Sequence, residues 1–180
     1  MYIKIYTDGA YSSKTNIGGW ALISVPESVS YDNELYKYYY KDSGWEHNTT
    51  NNRMELYAVA KALQYARGLL SYDNYNFQHI TIYTDSAYIA NAFKDKWFDK
   101  WRSNGWKTSK RTPVLNQDLW EAILSHYELY KHLITIEKVS GHTGNKWNEF
   151  ADQMAVAART IGAKEQGEMN GTKNFNCNTD

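Results

Sequence analysis

Apolar and polar residues alternate along the first part of the chain with the two-residue period of β-strands. Residues 2–7 alternate in this way, and after the turn-prone pair Asp8-Gly9 the apolar run Gly-Trp-Ala-Leu-Ile-Ser-Val predicts a second strand, which ends at Pro26. A polar loop then separates this strand from a third predicted strand at residues 35–40. The first part of the chain therefore predicts an antiparallel meander of three strands.

After residue 50 the apolar period lengthens to that of an α-helix. The cluster Thr-Thr-Asn-Asn is a helix start, and Leu56, Val59 and Leu63 follow at helical spacing, so a helix is predicted over residues 51–70. The same signals predict a strand over 79–84, a short helix from Ser86, a helical segment over 95–103, a helix over 116–130, a strand over 133–139 and a helix over 148–161.

This order of elements predicts an α/β fold with one five-stranded mixed sheet and helices on both faces. Strands one, four and five are expected to be parallel and joined by helical crossovers, with strands two and three antiparallel beside strand one. A chain of 180 residues suits one domain, which we expect over residues 1–161. Residues 162–180 are polar and poor in apolar side chains, and we expect them to be a disordered tail.

Composition excludes several kinds of protein. Twenty Lys plus Arg against twenty Asp plus Glu give zero net charge, so the overall charge indicates no polyanionic partner. The single cysteine, Cys177, excludes a disulfide framework and a thiolate metal site. The N-terminus lacks the apolar stretch of a signal peptide, and no run reaches membrane-spanning length. We therefore expect a cytoplasmic protein with no membrane contact.

Residues 94–111 carry a local excess of positive charge, with seven basic residues against two acidic ones, a net of +5. Tryptophans alternate with these bases, which suits a groove that follows a nucleic-acid backbone. In the alternative interpretation, the lysines form a solvated helix face and one or two tryptophans anchor the segment to the body. The candidate substrate contacts of this segment are Trp97, Trp101, Trp106, Lys100, Arg102, Lys107 and Lys110.

Four acidic residues in separate settings are the strongest functional signal: Asp8 in Y-T-D-G-A, Glu55 in N-N-R-M-E-L, Asp85 in Y-T-D-S-A and Asp152 in N-E-F-A-D. Ligand sites in open α/β sheets lie at the carboxyl ends of parallel strands, where Asp85 is expected, with Asp8 on the next strand. Carboxylates without a Cys or His cage suit Mg²⁺, and paired Mg²⁺ ions suit phosphodiester hydrolysis. Taken singly, Asp8 is explained better by a turn and Asp85 by a helix cap, while a helix dipole suits Glu55 and solvation suits Asp152; these explanations do not account for the four acids together.

Taken in order, the motifs T-D-G-A, T-T-N-N-R-M-E-L, T-D-S-A-Y, G-W-K-T with P-V-L-N-Q-D-L-W, and G-H-T-G-N-K-W-N-E-F-A-D resemble type 1 ribonuclease H over roughly residues 3–160. The resemblance implies endonucleolytic cleavage of the RNA strand of RNA–DNA hybrids, which leaves 5′-phosphate and 3′-hydroxyl ends. It implies Asp8, Glu55, Asp85 and Asp152 as ligands of two Mg²⁺ ions, with Mn²⁺ as an alternative ion.

The resemblance also implies roles in substrate contact. Asn51 and Asn52 are expected to face the minor groove near the ribose, and Thr50 and Asn116 to hold a phosphate of the DNA strand. The tryptophan-bearing segment resembles a basic protrusion that grips the hybrid. His142, in the glycine-flanked loop G-H-T-G, is expected to relay a proton or to help product release.

Three positions depart from the family pattern: Lys14 stands where an asparagine is frequent, Asn48 where an arginine can assist the phosphate pocket, and Ala87 where a glutamine often follows T-D-S. The segment 26–34 is also longer than in compact bacterial forms. Alternative functions are a catalytically silent hybrid-binding module, a DNA-processing nuclease of the same fold, and the ribonuclease domain of a larger polymerase. We expect a monomer that binds RNA–DNA hybrid and has no obligate protein partner.

Overall fold

The computed structural model describes residues 1–28, 39–71, 78–140 and 144–175, with side chains as far as residue 167. In these ranges the chain forms, in order, β1 (Tyr2–Ser12), β2 (Ile17–Pro26), β3 (Lys41–His47), α1 (Asn51–Leu70), β4 (His79–Thr84), α2 (Ala87–Lys94), α3 (Trp97–Ser103), α4 (Gln117–Tyr130), β5 (Ile134–Lys138) and α5 (Lys146–Phe175). Among these elements, no helix is long and apolar enough to span a membrane.

The strands form one mixed sheet in the order β3-β2-β1-β4-β5. β1 pairs antiparallel with β2 and parallel with β4, and β4 pairs parallel with β5. The parallel pairs are joined by helical crossovers, as the order of elements requires. The predicted five-stranded mixed sheet is confirmed.

Alternating side chains on β1 divide the core between the two faces of this sheet. Ile5 points into the larger apolar cluster, where α1 covers the sheet and α4 packs against α1, and the two helices contribute Leu56 and Trp120. Tyr6, the next residue, points to the opposite face, which α5 covers with Trp147. The sheet is thus buried on both sides, with helices on both faces as predicted.

Glycine lets α5 approach the sheet closely. A Cβ atom at Gly19 on β2 would overlap the carbonyl oxygen of Ala155 and meet the backbone nitrogen of Arg159. The Arg159 guanidinium also donates a hydrogen bond from Nη1 to the carbonyl oxygen of Tyr11, at 3.1 Å. The small side chain of Ala155 is fully buried at this contact. Backbone-to-backbone packing therefore fixes the distance between α5 and the sheet.

Two predictions about the β-strands were wrong. The pair Asp8-Gly9 forms no turn, because β1 continues through it and Gly9 pairs with Trp20 of β2. The third strand is Lys41–His47 and not residues 35–40, of which 35–38 lie outside the described residues. β3 is an edge strand and remains partly exposed along its length, so its polar sequence shows no alternating burial for a pattern to detect.

The last helix also differs from the prediction, because α5 does not end near residue 161. It continues through residues 162–175, where we expected a disordered tail; residues 176–180 lie outside the described part of the chain. Gly162 is buried in this extension, where a Cβ atom would meet the indole of Trp45 at 2.6 Å. The segment contains helix formers but few apolar residues, so it lacks the periodic signal of a packed helix. The domain boundary at residue 161 stays a prediction.

Candidate active site

Two of the candidate carboxylates are positioned by the parallel pairing of β1 with β4. This pairing ends at Thr7 with Thr84, so Asp8 and Asp85 follow directly at the same end of the sheet. The Thr7 hydroxyl donates a hydrogen bond to the carbonyl oxygen of Tyr83 at 2.9 Å, which ties the two strand ends together. β1 continues past this point but β4 does not, and the sheet therefore opens beside Asp8.

Gly9 brings Glu55 to this opening. A Cβ atom at Gly9 would lie 2.5 Å from the backbone nitrogen of Glu55 and 2.7 Å from the carbonyl carbon of Met54. Only a residue without a side chain lets α1 approach β1 so closely. The Gly9 backbone N–H also donates to Asp8 Oδ1 at 2.7 Å. The glycine after Asp8 is thus required by the packing of α1 and not by a turn.

Three carboxylates meet at this point. One oxygen each of Asp8, Glu55 and Asp85 lie within 4.8 Å of one another. Asp8 and Glu55 are only 5% and 6% exposed. Oε2 of Glu55 is buried and has no hydrogen-bond partner among the described residues. An unpartnered carboxylate oxygen among converging acids fits a hard divalent cation, which takes oxygen ligands.

Burial and mutual repulsion raise the pKa values of these acids. Burial raises the pKa of Asp8 from 3.8 to about 7, assisted by the charges of Asp85 and Asp152 and opposed by the Gly9 N–H. The pKa of Glu55 is raised well above its usual value, first by burial and then by Asp8 and Asp85. A bound cation would favour the charged forms and relieve this repulsion.

Asp152, the fourth candidate, lies apart from the other three. It is half-buried on the second turn of α5 and stands outside the 4.8 Å group, although its charge contributes to the raised pKa of Asp8. Asn148, one turn earlier, is 3% exposed and its Oδ1 has no hydrogen-bond partner in the described part of the chain. Glu149 is half-buried. His142 lies outside the described residues.

The start of α1 carries the predicted contacts to the hybrid. Thr50 is the N-cap of α1, and its hydroxyl oxygen accepts the backbone N–H of Arg53 at 3.3 Å. Asn51 and Asn52 follow on the exposed first turn. Glu55 is one turn further along the same helix, so α1 joins these polar side chains to the acidic cluster.

A groove of about 550 Å³ runs between the start of α1, α3 and the loop that follows α3. Six of the predicted substrate contacts line it, namely Asn52, Trp97, Lys100, Trp101, Lys107 and Asn116. Tyr88 of α2 and Leu115 also line it, and neither was singled out from the sequence. Leu115 is 75% exposed, an unusual position for a leucine.

The tryptophans mainly hold the protrusion, which we define as α3 with residues 104–114, onto the body. Trp101 is 8% exposed and lies edge-on to Trp120 of α4, with ring centroids 5.3 Å apart. The Trp106 backbone N–H donates to the carbonyl oxygen of Trp101 at 2.6 Å, and Val114 donates to the carbonyl oxygen of Trp106 at 2.8 Å. These bonds fold the loop back onto α3.

The bases of the protrusion differ in what they contact. Lys100 and Lys107 are exposed and line the groove, whereas Lys110 is exposed on the loop outside its lining. The Arg102 guanidinium instead pairs with Glu128 of α4 at 2.9 Å. Only part of the predicted basic set is therefore directed at the groove.

The three departures from the family pattern have different surroundings. Asn48 adopts a left-handed backbone with φ of 50°, and its Oδ1 accepts from Nδ2 of Asn16 at 2.9 Å. Its side chain thus joins the β1–β2 turn to the start of α1. Lys14 is exposed in that turn, and Ala87 is exposed on the first residue of α2. The elongated segment 26–34 lies mostly outside the described residues.

Two functional residues escaped the sequence interpretation. Gly9 was assigned to a turn, and its contact with α1 depends on tertiary packing that no local pattern shows. Arg53 lies within the N-N-R-M-E-L motif, and its guanidinium bonds Asn116 and Asp118 near the start of α4. The position of Arg53 between the asparagine pair and Glu55 was the available signal.

Fold and site together define a class of protein: an α/β domain in which buried carboxylates lie near a basic groove, the layout of a nuclease. An RNase H family model matches residues 1–160. The chain is 42% identical over 154 residues to a Ribonuclease H of Syntrophomonas wolfei, covering 85% of this chain and 92% of the relative. It is also 42% identical over 156 residues to a Ribonuclease H of Prosthecochloris aestuarii, covering 87% and 94%. The chain belongs to the RNase H family.

Solved structures share the fold. LC9-RNase H1, described as a type 1 RNase H with the type 2 active-site motif, superposes with a TM-score of 0.63 at 24% identity, covering 88% of this chain and 72% of that one. The PFV RNase H domain gives 0.67 at 21% identity, covering 89% and 94%. A foamy viral protease-reverse transcriptase in complex with RNA/DNA hybrid gives 0.67 at 19% identity, covering 88% of this chain and 20% of that one.

Proposed function

We propose that this chain is an endoribonuclease that hydrolyses the RNA strand of RNA–DNA hybrids and leaves 5′-phosphate and 3′-hydroxyl ends. The observation that carries the proposal is the meeting of Asp8, Glu55 and Asp85 in a member of the RNase H family. Curated relatives that match over most of their length are named Ribonuclease H. The proposed cofactor is a pair of Mg²⁺ ions, with Mn²⁺ as an alternative.

The carboxylates of Asp8, Glu55, Asp85 and Asp152 would hold these ions. When bound, divalent ions supply an activated water and neutralise charge on the phosphate. The raised pKa values of Asp8 and Glu55 mean that the metal-free protein holds protons on these carboxyls more tightly than usual, and a bound cation would favour their release. The close contact of Gly9 with α1 holds their carboxylates in place before the substrate arrives.

The groove would place the hybrid relative to these acids. Lys100 and Lys107 would contact phosphates, which position a duplex without reading its sequence. Asn51 and Asn52 would contact the minor groove, where a ribose is distinguished by its 2′-hydroxyl. α1 carries this asparagine pair and Glu55 one turn apart, so recognition of a ribose and cleavage next to it are coupled by one rigid helix.

His142 would act beside the acids as a proton relay or in product release. A histidine side chain ordinarily exchanges a proton near neutral pH, which suits either role. We expect His142→Ala to lower kcat by about a hundredfold while KM changes little, the usual size of a lost proton-transfer group. Steady-state kinetics on a labelled hybrid measure both constants. Unchanged kcat would remove His142 from the mechanism.

One experiment tests the proposed activity. Labelled RNA–DNA hybrid, single-stranded RNA, duplex RNA and duplex DNA are incubated with the purified protein in a Mg²⁺ and Mn²⁺ titration, with Asp85→Asn as the inactive control. We expect cleavage of the hybrid's RNA strand alone, with fragments whose 3′ ends a polymerase can extend. An intact RNA strand under all conditions would contradict the proposal, and hybrid binding without cleavage would identify a binding module instead. Light scattering of the same sample tests the expected monomer.

A further inference from the structure

We propose that Arg53 is a positioning residue whose guanidinium directs the Asn116 amide as a hydrogen-bond donor, beside the donor hydroxyl of Thr50, toward one phosphate of the hybrid's DNA strand. This inference rests on the proposed function, because it concerns how the hybrid is held. The Arg53 guanidinium bonds Asn116, and the Arg53 backbone N–H bonds Thr50.

The guanidinium of Arg53 connects the start of α1 to the start of α4. Its Nη1 donates to Asn116 Oδ1 at 3.2 Å and to Asp118 Oδ1 at 3.0 Å, and its Nη2 donates to Asp118 Oδ2 at 2.7 Å. Paired bonds to one carboxylate hold a planar guanidinium in a single orientation. Asp118 therefore fixes Arg53, and Arg53 in turn fixes the Asn116 amide.

The chemistry of arginine decides which way this amide faces. A guanidinium has donors and no acceptor, so Asn116 must present Oδ1 to it and turn Nδ2 the other way. Arg53 lies beside Glu46 and His47 in a separate depression, and it does not line the groove. Asn116 does line the groove, together with Asn52. The guanidinium thus holds the amide oxygen of Asn116 on the side away from the groove, and we infer that the amide N–H donors face the groove.

Thr50 is oriented by the backbone N–H at position 53 and not by the guanidinium. Its Oγ1 accepts the backbone N–H of Arg53 at 3.3 Å, so its hydroxyl hydrogen stays available to donate. The backbone of α1 therefore occupies an acceptor of Thr50, the Arg53 guanidinium occupies an acceptor of Asn116, and both residues are left with donors. Two donors are what the oxygens of a phosphate require, since those oxygens only accept.

The backbone of Asn116 supports this role. Asn116 is the N-cap of α4 but makes no side-chain capping hydrogen bond, and it has a left-handed φ of 60°. Asparagine at an N-cap usually accepts an N–H of the first turn. Here the side chain is released from capping and is directed to Arg53 and the groove instead.

A purely stabilising role explains the arrangement less well. The side chains of Arg53 and Asp118 are 34% and 62% exposed, and ion pairs with this exposure add little stability. Lys4 and Glu27 form a comparable exposed pair at 3.3 Å, away from the start of α1 and from the groove. The Lys4–Glu27 pair therefore provides a matched control.

The test removes the charge of one DNA-strand phosphate at a time. Hybrids in which a single DNA phosphate is replaced by a neutral methylphosphonate are cleaved by the wild type and by Arg53→Met, Asn116→Gly and the double variant. Glycine retains the left-handed backbone of Asn116, and Arg53→Met retains the backbone N–H that Thr50 caps. Glu27→Gln, which breaks the control pair, is assayed alongside, and thermal unfolding verifies that every variant is folded.

We expect the wild type to show a KM raised about tenfold at one phosphate position, the size of a charged hydrogen bond lost. Arg53→Met and Asn116→Gly should each raise KM for the unmodified hybrid about tenfold, with kcat within about twofold, and should lose sensitivity at that position. The double variant should be no worse than either single one, because both remove the same contact. Glu27→Gln should match the wild type.

Two results would overturn the inference: a wild-type scan profile retained by Arg53→Met, or additive losses in the double variant. Failure of the proposed activity is a separate outcome, seen as no cleavage by the wild type. The same scan then runs as a binding titration of uncleaved hybrid. A position-specific loss that depends on Arg53 would uphold the inference, and its absence would reject it.

Discussion

The acidic cluster and the protrusion use charge in opposite ways. Asp8 and Glu55 are buried on the central strand and the first helix, where burial raises their pKa values. Lys100 and Lys107 of the protrusion are exposed to solvent, and its buried residues Phe98, Trp101 and Val114 are uncharged. Buried charges act strongly over short distances and reduce the stability of the free protein. Exposed charges act weakly, over longer range, and are screened by salt.

The largest expected effect is on the acidic cluster. Asp8→Asn should lower the rate of hybrid cleavage by at least about a thousandfold, since residues that merely support metal ligands already cost 10–100-fold. Folding should be intact, because the amide is isosteric and removes a repelled charge. Single-turnover cleavage and circular dichroism measure the two properties. Asp95→Asn, an exposed residue at the end of α2, is the control. Residual activity near the wild-type level would show that the cluster is not catalytic.

A slightly smaller effect is expected on the stability of the metal-free protein as pH changes. The folded-state pKa of Asp8 is about 7, against an ordinary value of 3.8, so the folded protein binds a proton that the unfolded chain releases. Stability should therefore fall as pH rises from about 4 to 7 and stay reduced above 7, by about 4 kcal/mol in full. Urea unfolding in chelator at pH 5 and pH 8 measures the change. Asp8→Asn should reduce the slope and leave the part that comes from Glu55, whose pKa burial also raises; parallel curves for both proteins would contradict this.

The protrusion should respond to loss of its tryptophan instead. Trp101→Ala should reduce the free energy of unfolding by about 3 kcal/mol, the cost of emptying a large buried site. Trp106→Ala should reduce the free energy of unfolding by less, because Trp106 is only half-buried. Denaturant unfolding of both variants decides the order. Equal small losses would mean that Trp101 serves the groove more than the fold.

The smallest effect is expected from the exposed bases. Replacement of Lys100, Arg102, Lys107 and Lys110 by glutamine should flatten the salt dependence of hybrid binding, by roughly one unit of slope per lost phosphate contact. Arg102→Gln alone should contribute little, because its guanidinium is paired with Glu128. Lys131→Gln, which also faces Glu128 away from the groove, is the control. An unchanged slope in the fourfold variant would show that these bases do not contact the phosphates of the hybrid.

The sequence predicted those parts of the fold whose burial is periodic. α1 was predicted at residues 51–70 and β4 at residues 79–84, and both are found there, because each has a regular buried side. β3 was predicted at the wrong residues because an edge strand needs no buried side. The turn at Asp8-Gly9 was wrong because Gly9 is required by the close approach of α1, a contact with residues 45 positions away in the sequence. Local pattern thus indicates which carboxylates are available, and tertiary packing decides how they meet.

The same difference applies to the site. Asp8, Glu55 and Asp85 were predicted from their settings, and their oxygens converge as expected. Arg102 was grouped with the lysines because composition records charge and not partners, and only the structure shows its pairing with Glu128. Trp101 was predicted as a substrate contact, and it combines a place in the groove lining with burial against Trp120. Residue type alone cannot separate these two roles.

The missing side chain of Gly19 helps to set the position of Asp152. Asp152 is carried by α5, and the height of that helix above the sheet is set where the backbone at Ala155 meets Gly19. One added methyl group at Gly19 would overlap the backbone of α5 and shift that helix, and Asp152 with it, without touching any candidate metal ligand. A glycine that binds nothing can therefore set the position of a candidate ligand.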